Sequence, residues 1–152
     1  MNVVVTDSEA ETAALGARLG MRLRAGMAVA LVGELGAGKS AFSRGIAEGL
    51  GVVGRVRSPT YVLAARYDSG RLPLVHADLY RLADASELAG LDLLAAQEQG
   101  AIVVVEWAER FPEVLPLDHL LVAIELGEGD ARRIALSAGG PVHAALLEDL
   151  GG

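Results

Sequence analysis

Two stretches of the chain, MAVALVG at 27–33 and AIVVV at 101–105, are apolar or glycine at every position. That is the pattern of short strands covered on both faces rather than on one. The first run is followed by a glycine-rich loop and then by SAFSRGIAEGLG, whose helical spacing predicts a helix ending at Gly49 or Gly51. The second ends on Glu106 and Trp107. Ahead of both, NVVV reads as a first strand, and Ser8 with Glu11 three residues on is a capping-box start for a helix running to about Leu23. YVLAARYD and RLPLVHAD flank Asp68-Ser69-Gly70 and predict two antiparallel strands joined by a tight turn, with Pro73 holding the second near an edge or a strand start. Asp84 with Glu87 is a further cap, opening helical segments through Gln99. LLVAIELGEGDARRIALS predicts a last hairpin turning over 127–130, and PVHAALLEDL a terminal helix.

Composition narrows the class. At 152 residues and 15.7 kDa the chain suits one domain with a real core, and 52% hydrophobic with 22% charged residues is a globular balance. Its apolar runs are far shorter than the roughly 18 residues that cross a bilayer. The opening MNVVVTDSEAET has neither the basic nor the long apolar region of a secretory signal, so a cytoplasmic location is expected. With no cysteine there is no disulfide and no thiolate metal site, and His76, His119 and His143 are too widely spaced to suggest a structural metal. A net charge of −7 argues against sequence-independent nucleic-acid binding, which relies on basic residues displacing phosphate counterions. Arg55 with Arg57, and Arg132 with Arg133, read as solvated surface pairs.

The chemistry concentrates in LVGELGAGKS. Gly33, Gly38, Lys39 and Ser40 fit G-x-x-x-x-G-K-[ST], and the loop lies between a buried strand and a helix, where backbone N–H groups and the helix dipole favour phosphate. The segment Glu34, Leu35, Gly36, Ala37, Gly38, Lys39, Ser40 and Ala41 is therefore the expected nucleotide cradle. Lys39 is the only lysine; the other 12 basic residues are arginine. A compact ammonium can enter a narrow turn and reach the β- and γ-phosphates, where a planar guanidinium is bulkier and imposes its own geometry. Ser40 would offer its hydroxyl oxygen to Mg²⁺. Guanine-selective proteins commonly use N/T-K-x-D, and no second lysine exists to build it, which favours ATP. The fold class expected is α/β: a single P-loop NTPase-like domain over 1–152, with a mixed, mostly parallel sheet, antiparallel hairpins and flanking helices.

A phosphate loop also needs an acid at the end of a neighbouring strand. Glu106 after AIVVV and Asp78 after LPLVHA both qualify. With GELGAGKS and FSRG, SPTY at 58–61, HADLYRL at 76–82 and VVEWAER at 104–110, the chain resembles the TsaE (YjeE) family, small ATPases of bacterial tRNA threonylcarbamoyladenosine (t6A) synthesis. The resemblance implies that Thr60 senses Mg²⁺ and the γ-phosphate on a loop stiffened by Pro59, and that Asp78 and Glu106 position Mg²⁺ and the attacking water. Which acid takes which task stays open, with Glu106 favoured for the metal and Asp78 for water. Trp107 is similar to the family's aromatic beside the nucleotide. Arg81 could stabilise transferred phosphoryl charge or make a structural or partner contact, while Arg44 reads as a surface or interface residue. The implied partners are TsaD and TsaB, with tRNA met indirectly through that complex and no membrane involved. Two other functions fit the loop: a small-molecule kinase, for which the chain is short of a lid carrying several arginines, and a binding module that uses ATP without turnover.

Overall fold

The computed structural model of the chain describes residues 1–34, 36–54, 64–80 and 92–151. Seven strands form one sheet: β1 (Asn2–Thr6), β2 (Ala28–Gly33), β3 (Ala64–Tyr67), β4 (Leu74–Asp78), β5 (Ile102–Glu106), β6 (Leu120–Leu126) and β7 (Arg132–Ala138). Their spatial order is β1-β7-β6-β2-β5-β4-β3. The central pairings β6–β2, β2–β5 and β5–β4 are parallel, and the outer ones are antiparallel. The two apolar runs thus become adjacent strands in the middle of the sheet. There they alternate between two cores: Val29, Leu31, Ile102 and Val104 face one side, while Ala28, Ala30, Val103 and Val105 face the other.

The first side is covered by α1 (Glu9–Arg22), α2 (Lys39–Gly49) and α4 (Pro141–Gly151). The second is covered in part by α3 (Leu93–Glu98) and the two short 3-10 turns at Ala108–Arg110 and Pro112–Val114. The α1 start follows the cap reading, since Ser8 Oγ accepts the Glu11 N–H at 3.1 Å. The return bond differs, because Glu11 Oε2 accepts from Asp7 N at 3.3 Å rather than from Ser8. Among the described residues no helix is long and apolar enough to cross a membrane.

Helices α1 and α2 pack backbone to backbone. A Cβ on Gly16 would lie 2.3 Å from the Phe42 carbonyl oxygen and one on Gly20 2.3 Å from that of Ile46; on the facing helix, Gly45 and Gly49 sit as close to the carbonyls of Ala13 and Ala17, at 2.1 and 2.2 Å. Four glycines at four-residue spacing let two helix backbones touch.

One turn differs from the sequence expectation. β3 and β4 pair antiparallel, with Tyr67 opposite Leu74, so the connection spans 68–73 rather than a tight turn at Asp68-Ser69-Gly70. The chain there serves a tertiary contact: Arg71 N donates to the Leu50 carbonyl at 2.8 Å, the Ser69 hydroxyl accepts from Val53 N at 2.9 Å, and the loop docks on the end of α2. Pro73 does stand immediately before a strand start. The cap at Asp84 and Glu87 falls outside the described residues.

Candidate functional site

The strand-to-helix turn that follows β2 is shaped by glycine. Gly33 approaches the backbone of β6 so closely that a Cβ would lie 2.5 Å from the Ile124 carbonyl. Gly38, with φ of 110°, turns the chain into α2, where Phe42 N donates to the Gly38 carbonyl at 2.9 Å. Ala37 N closes the turn onto the Glu34 carbonyl at 3.1 Å. Arg132, from the start of β7, clamps the outside of the loop: its Nε donates to the Ala37 carbonyl at 3.0 Å and an η nitrogen to that of Gly36 at 3.4 Å. Because a trans peptide directs N–H opposite to C=O, holding the Ala37 carbonyl also fixes the direction of the Gly38 N–H.

Lys39 opens α2 and is 5% exposed. Its Nζ donates to the carbonyls of Gly33 and, at 3.5 Å, Glu34, and lies 3.7 Å from the centroid of the Trp107 ring. Among the described residues no carboxylate forms a salt bridge with it. Burial lowers its pKa below the ordinary ammonium value, and the negative charges of Glu106, Glu109 and Asp78 offset part of that. Carbonyls and a ring face solvate a cation without neutralising it, so the ammonium keeps its pull for an anion.

Asp78 and Glu106 end the parallel strands β4 and β5 and lie directly opposite in register, which puts both carboxylates on one sheet face. Glu106 is 3% exposed, and its Oε2 is 2.6 Å from His76 Nε2. Asp78 Oδ1 accepts the Tyr80 N–H at 2.9 Å. Its pKa is raised, first by burial and then by the neighbouring Glu106, against the lowering effects of the Tyr80 N–H, His76 and Lys39. Trp107 takes left-handed φ of 62°, uncommon for a bulky residue, and its N–H is held by the Leu31 carbonyl at 3.2 Å. The Tyr80 ring packs against its ring at a 40° tilt, with centroids 4.9 Å apart.

These groups surround a cleft of about 450 Å³, within the usual range for small-molecule sites. Of the residues expected from sequence, Gly36, Gly38, Lys39, Ser40, Ala41, Asp78, Glu106 and Trp107 line it. Glu34 and Ala37 shape the turn without lining the cleft, and Leu35, Thr60 and Arg81 fall outside the described residues. Three arginine readings can be compared with the structure. Arg44, expected as a surface or interface residue, is exposed and pairs with Glu9 at 2.8 Å at the edge of the cleft, which it also lines; Arg132, expected as a solvated neighbour of Arg133, instead clamps the loop. Arg133 does lie on the surface, 3.7 Å from Glu125. Thr12 and Asp130 also line this flank, and nothing in their local sequence marks them. Their place follows from the sheet order, which brings β7 and the start of α1 beside the loop.

A glycine-rich loop between a central parallel strand and a helix, with strand-end acids beside it, defines a phosphate-loop α/β protein. Residues 6–134 match the family model described as "Threonylcarbamoyl adenosine biosynthesis protein TsaE". The chain is 40% identical over 140 residues to the tRNA threonylcarbamoyladenosine biosynthesis protein TsaE of Bacillus subtilis, covering 92% of this chain and 87% of the relative. It is 47% identical over 119 residues to the protein of the same name from Streptomyces coelicolor, covering 76% and 80%. A solved structure titled "Crystal structure of Bacillus subtilus YdiB" superposes with a TM-score of 0.83 at 31% identity, over 99% of this chain and 93% of that one. The chain belongs to the TsaE family.

Proposed function

We propose that this protein binds and hydrolyses ATP with Mg²⁺ in the service of tRNA threonylcarbamoyladenosine biosynthesis, acting in the cytoplasm with TsaD and TsaB and meeting tRNA through that complex. The observation that carries the reading is the convergence of Lys39 at the start of α2 with Asp78 and Glu106, paired in register, in one cleft. The residues suit the group they would hold: a buried ammonium that no carboxylate pairs with among the described residues lines the cleft, and two strand-end carboxylates with the Ser40 hydroxyl supply hard oxygen donors.

Loop and α2 amides with Lys39 bind the β- and γ-phosphates and draw charge toward the leaving oxygen. Ser40, Glu106 and Asp78 are the residues that would hold Mg²⁺, which when bound neutralises phosphate charge. Asp78 orients the attacking water. Its carboxylate takes the water proton as the new oxygen–phosphorus bond forms and the bond to the β–γ bridging oxygen breaks. Thr60 is the reporter of the γ-phosphate to a partner surface. Turnover by the isolated protein is slow, because a site finished by a partner is incomplete alone.

The test is steady-state phosphate release from ATP, alone and with TsaD and TsaB added. Stimulation by the partners is expected, with Glu106→Ala and Asp78→Ala retaining ATP binding but losing multiple turnover. Phosphate transferred instead to a small acceptor would make the protein a kinase. Full modification activity in both variants would leave it a binding module.

A further inference from the structure

The molecule buries two histidines that bond a carboxylate, and they are satisfied differently. His143 uses both ring nitrogens, Nδ1 on Asp118 at 2.7 Å and Nε2 accepting from Ala28 N at 3.2 Å, as a purely structural imidazole should. His76, 1% exposed in β4, commits Nε2 to Glu106 Oε2 at 2.6 Å and leaves Nδ1 buried with no hydrogen-bond partner among the described residues. Among the described residues, the bond to Glu106 is therefore the hydrogen bond that the His76 ring makes.

The register explains how that bond reaches the cleft. His76 lies opposite Val104 and Asp78 opposite Glu106, so His76 is the diagonal neighbour of Glu106 on the same sheet face. It donates from below, within the sheet, to one oxygen of a carboxylate that lines the cleft. A glutamate has three rotatable bonds. Fixing Oε2 from the strand side removes most of that freedom and leaves Oε1 as the oxygen that His76 does not engage.

We propose that His76 is a positioning residue: through its Nε2–H it holds Glu106 in the rotamer that presents one carboxylate oxygen to the metal and nucleotide. The inference rests on the reading of Glu106 as a metal-holding acid. A histidine that only fills space would be replaceable by any side chain of its volume. One that positions Glu106 is replaceable only by a donor at the Nε2 position, which a glutamine amide nitrogen approximates.

The experiment measures Mn²⁺ affinity of the ADP complex by electron paramagnetic resonance, and ADP affinity without metal by calorimetry. It uses the wild type, His76→Gln, His76→Leu, Glu106→Gln and the double variant Glu106→Gln/His76→Leu. Circular dichroism confirms folding of each. His76→Leu is expected to weaken Mn²⁺ binding by about tenfold or more, the usual effect of losing a partner of a metal-holding group. Metal-free ADP affinity should stay within about twofold, and His76→Gln should recover most of the loss. In the Glu106→Gln background His76→Leu should add nothing. Unchanged Mn²⁺ affinity in His76→Leu, or an equal loss on top of Glu106→Gln, would overturn the inference. If His76→Leu does not fold, recovery or loss in His76→Gln decides alone. Intact Mn²⁺ coupling in a protein that never releases phosphate from ATP, even with its partners, would defeat the ATPase reading and leave this one standing.

Discussion

Lys39 shows what a single side chain must satisfy here. Its ammonium is confined by the carbonyls of Gly33 and Glu34 on one side and by the Trp107 ring, 3.7 Å away, on the other. A guanidinium carries the same charge but needs a wider, planar slot, and Trp107 cannot easily retreat because its own backbone is locked in the left-handed region by the Leu31 carbonyl. Lys39→Arg is therefore expected to lose at least about tenfold in ADP affinity, roughly 1.4 kcal/mol, despite preserving charge. Calorimetric titration reads this directly, and wild-type affinity in the variant would mean that charge alone suffices. Ser40 and the strand-end acids were legible for the same local reason as Lys39: each stands at a junction of elements that the sequence marks by glycine or by the end of an apolar run. Arg132 was not legible. Its role depends on β7 folding back beside a loop far away in sequence, and an arginine after a glycine-rich hairpin turn has no local feature separating it from its exposed neighbour Arg133.

At the scale of elements, the α1–α2 contact reverses what helix propensity suggests. Replacing a glycine inside a helix with alanine ordinarily gains up to about 1 kcal/mol. At Gly45 the added methyl would sit 2.1 Å from the Ala13 carbonyl oxygen, a backbone atom that can move only if the whole helix moves. Gly45→Ala is expected to destabilise the fold by about 2–3 kcal/mol, at the upper end of ordinary overpacking costs. Urea unfolding measures it, and a gain in stability would show that the helices separate freely. The effect should also reach the cleft, since Glu9 and Arg44 meet across the same helix pair. This explains the limits of the sequence reading. β2 and β5 were visible because burial on both faces writes an unbroken apolar run. The β3–β4 pairing was visible by pattern, but its turn was misread because Gly70 and Arg71 answer to α2 rather than to hairpin geometry. Gly16, Gly20, Gly45 and Gly49 look like weak helix positions until two helices are placed together.

Across the whole molecule, a chain of hydrogen bonds ties α4 to β2, the strand that leads into the glycine-rich loop. The Asp118 carboxylate, just before β6, accepts the N–H groups of Val142 at 2.9 Å and His143 at 3.3 Å, and so caps α4 from outside it. It also accepts from His143 Nδ1, whose other nitrogen takes the N–H of Ala28 at the head of β2. The tautomer is thereby set, with the proton on Nδ1. Burial alone would raise the Asp118 pKa, but the His143 side chain and the two backbone donors outweigh it and hold the group below its ordinary value of 3.8. A depressed folded-state pKa means stability that is fully present above the ordinary carboxylate value and is lost as pH falls through the folded one. Asp118→Asn keeps the shape and one acceptor oxygen but not the charge. It should lower stability at pH 7 by about 1–2 kcal/mol, the usual worth of charge-assisted bonds at a partly exposed site. The gap should close as pH falls below about 4, because the wild type loses the charge that the variant never had. Urea midpoints of both proteins between pH 7 and pH 2.5 test this. A gap that stays constant over that range would mean that Asp118 acts by geometry alone. A closing gap would show that the charge on one loop carboxylate holds α4 against the strand from which the glycine-rich loop springs.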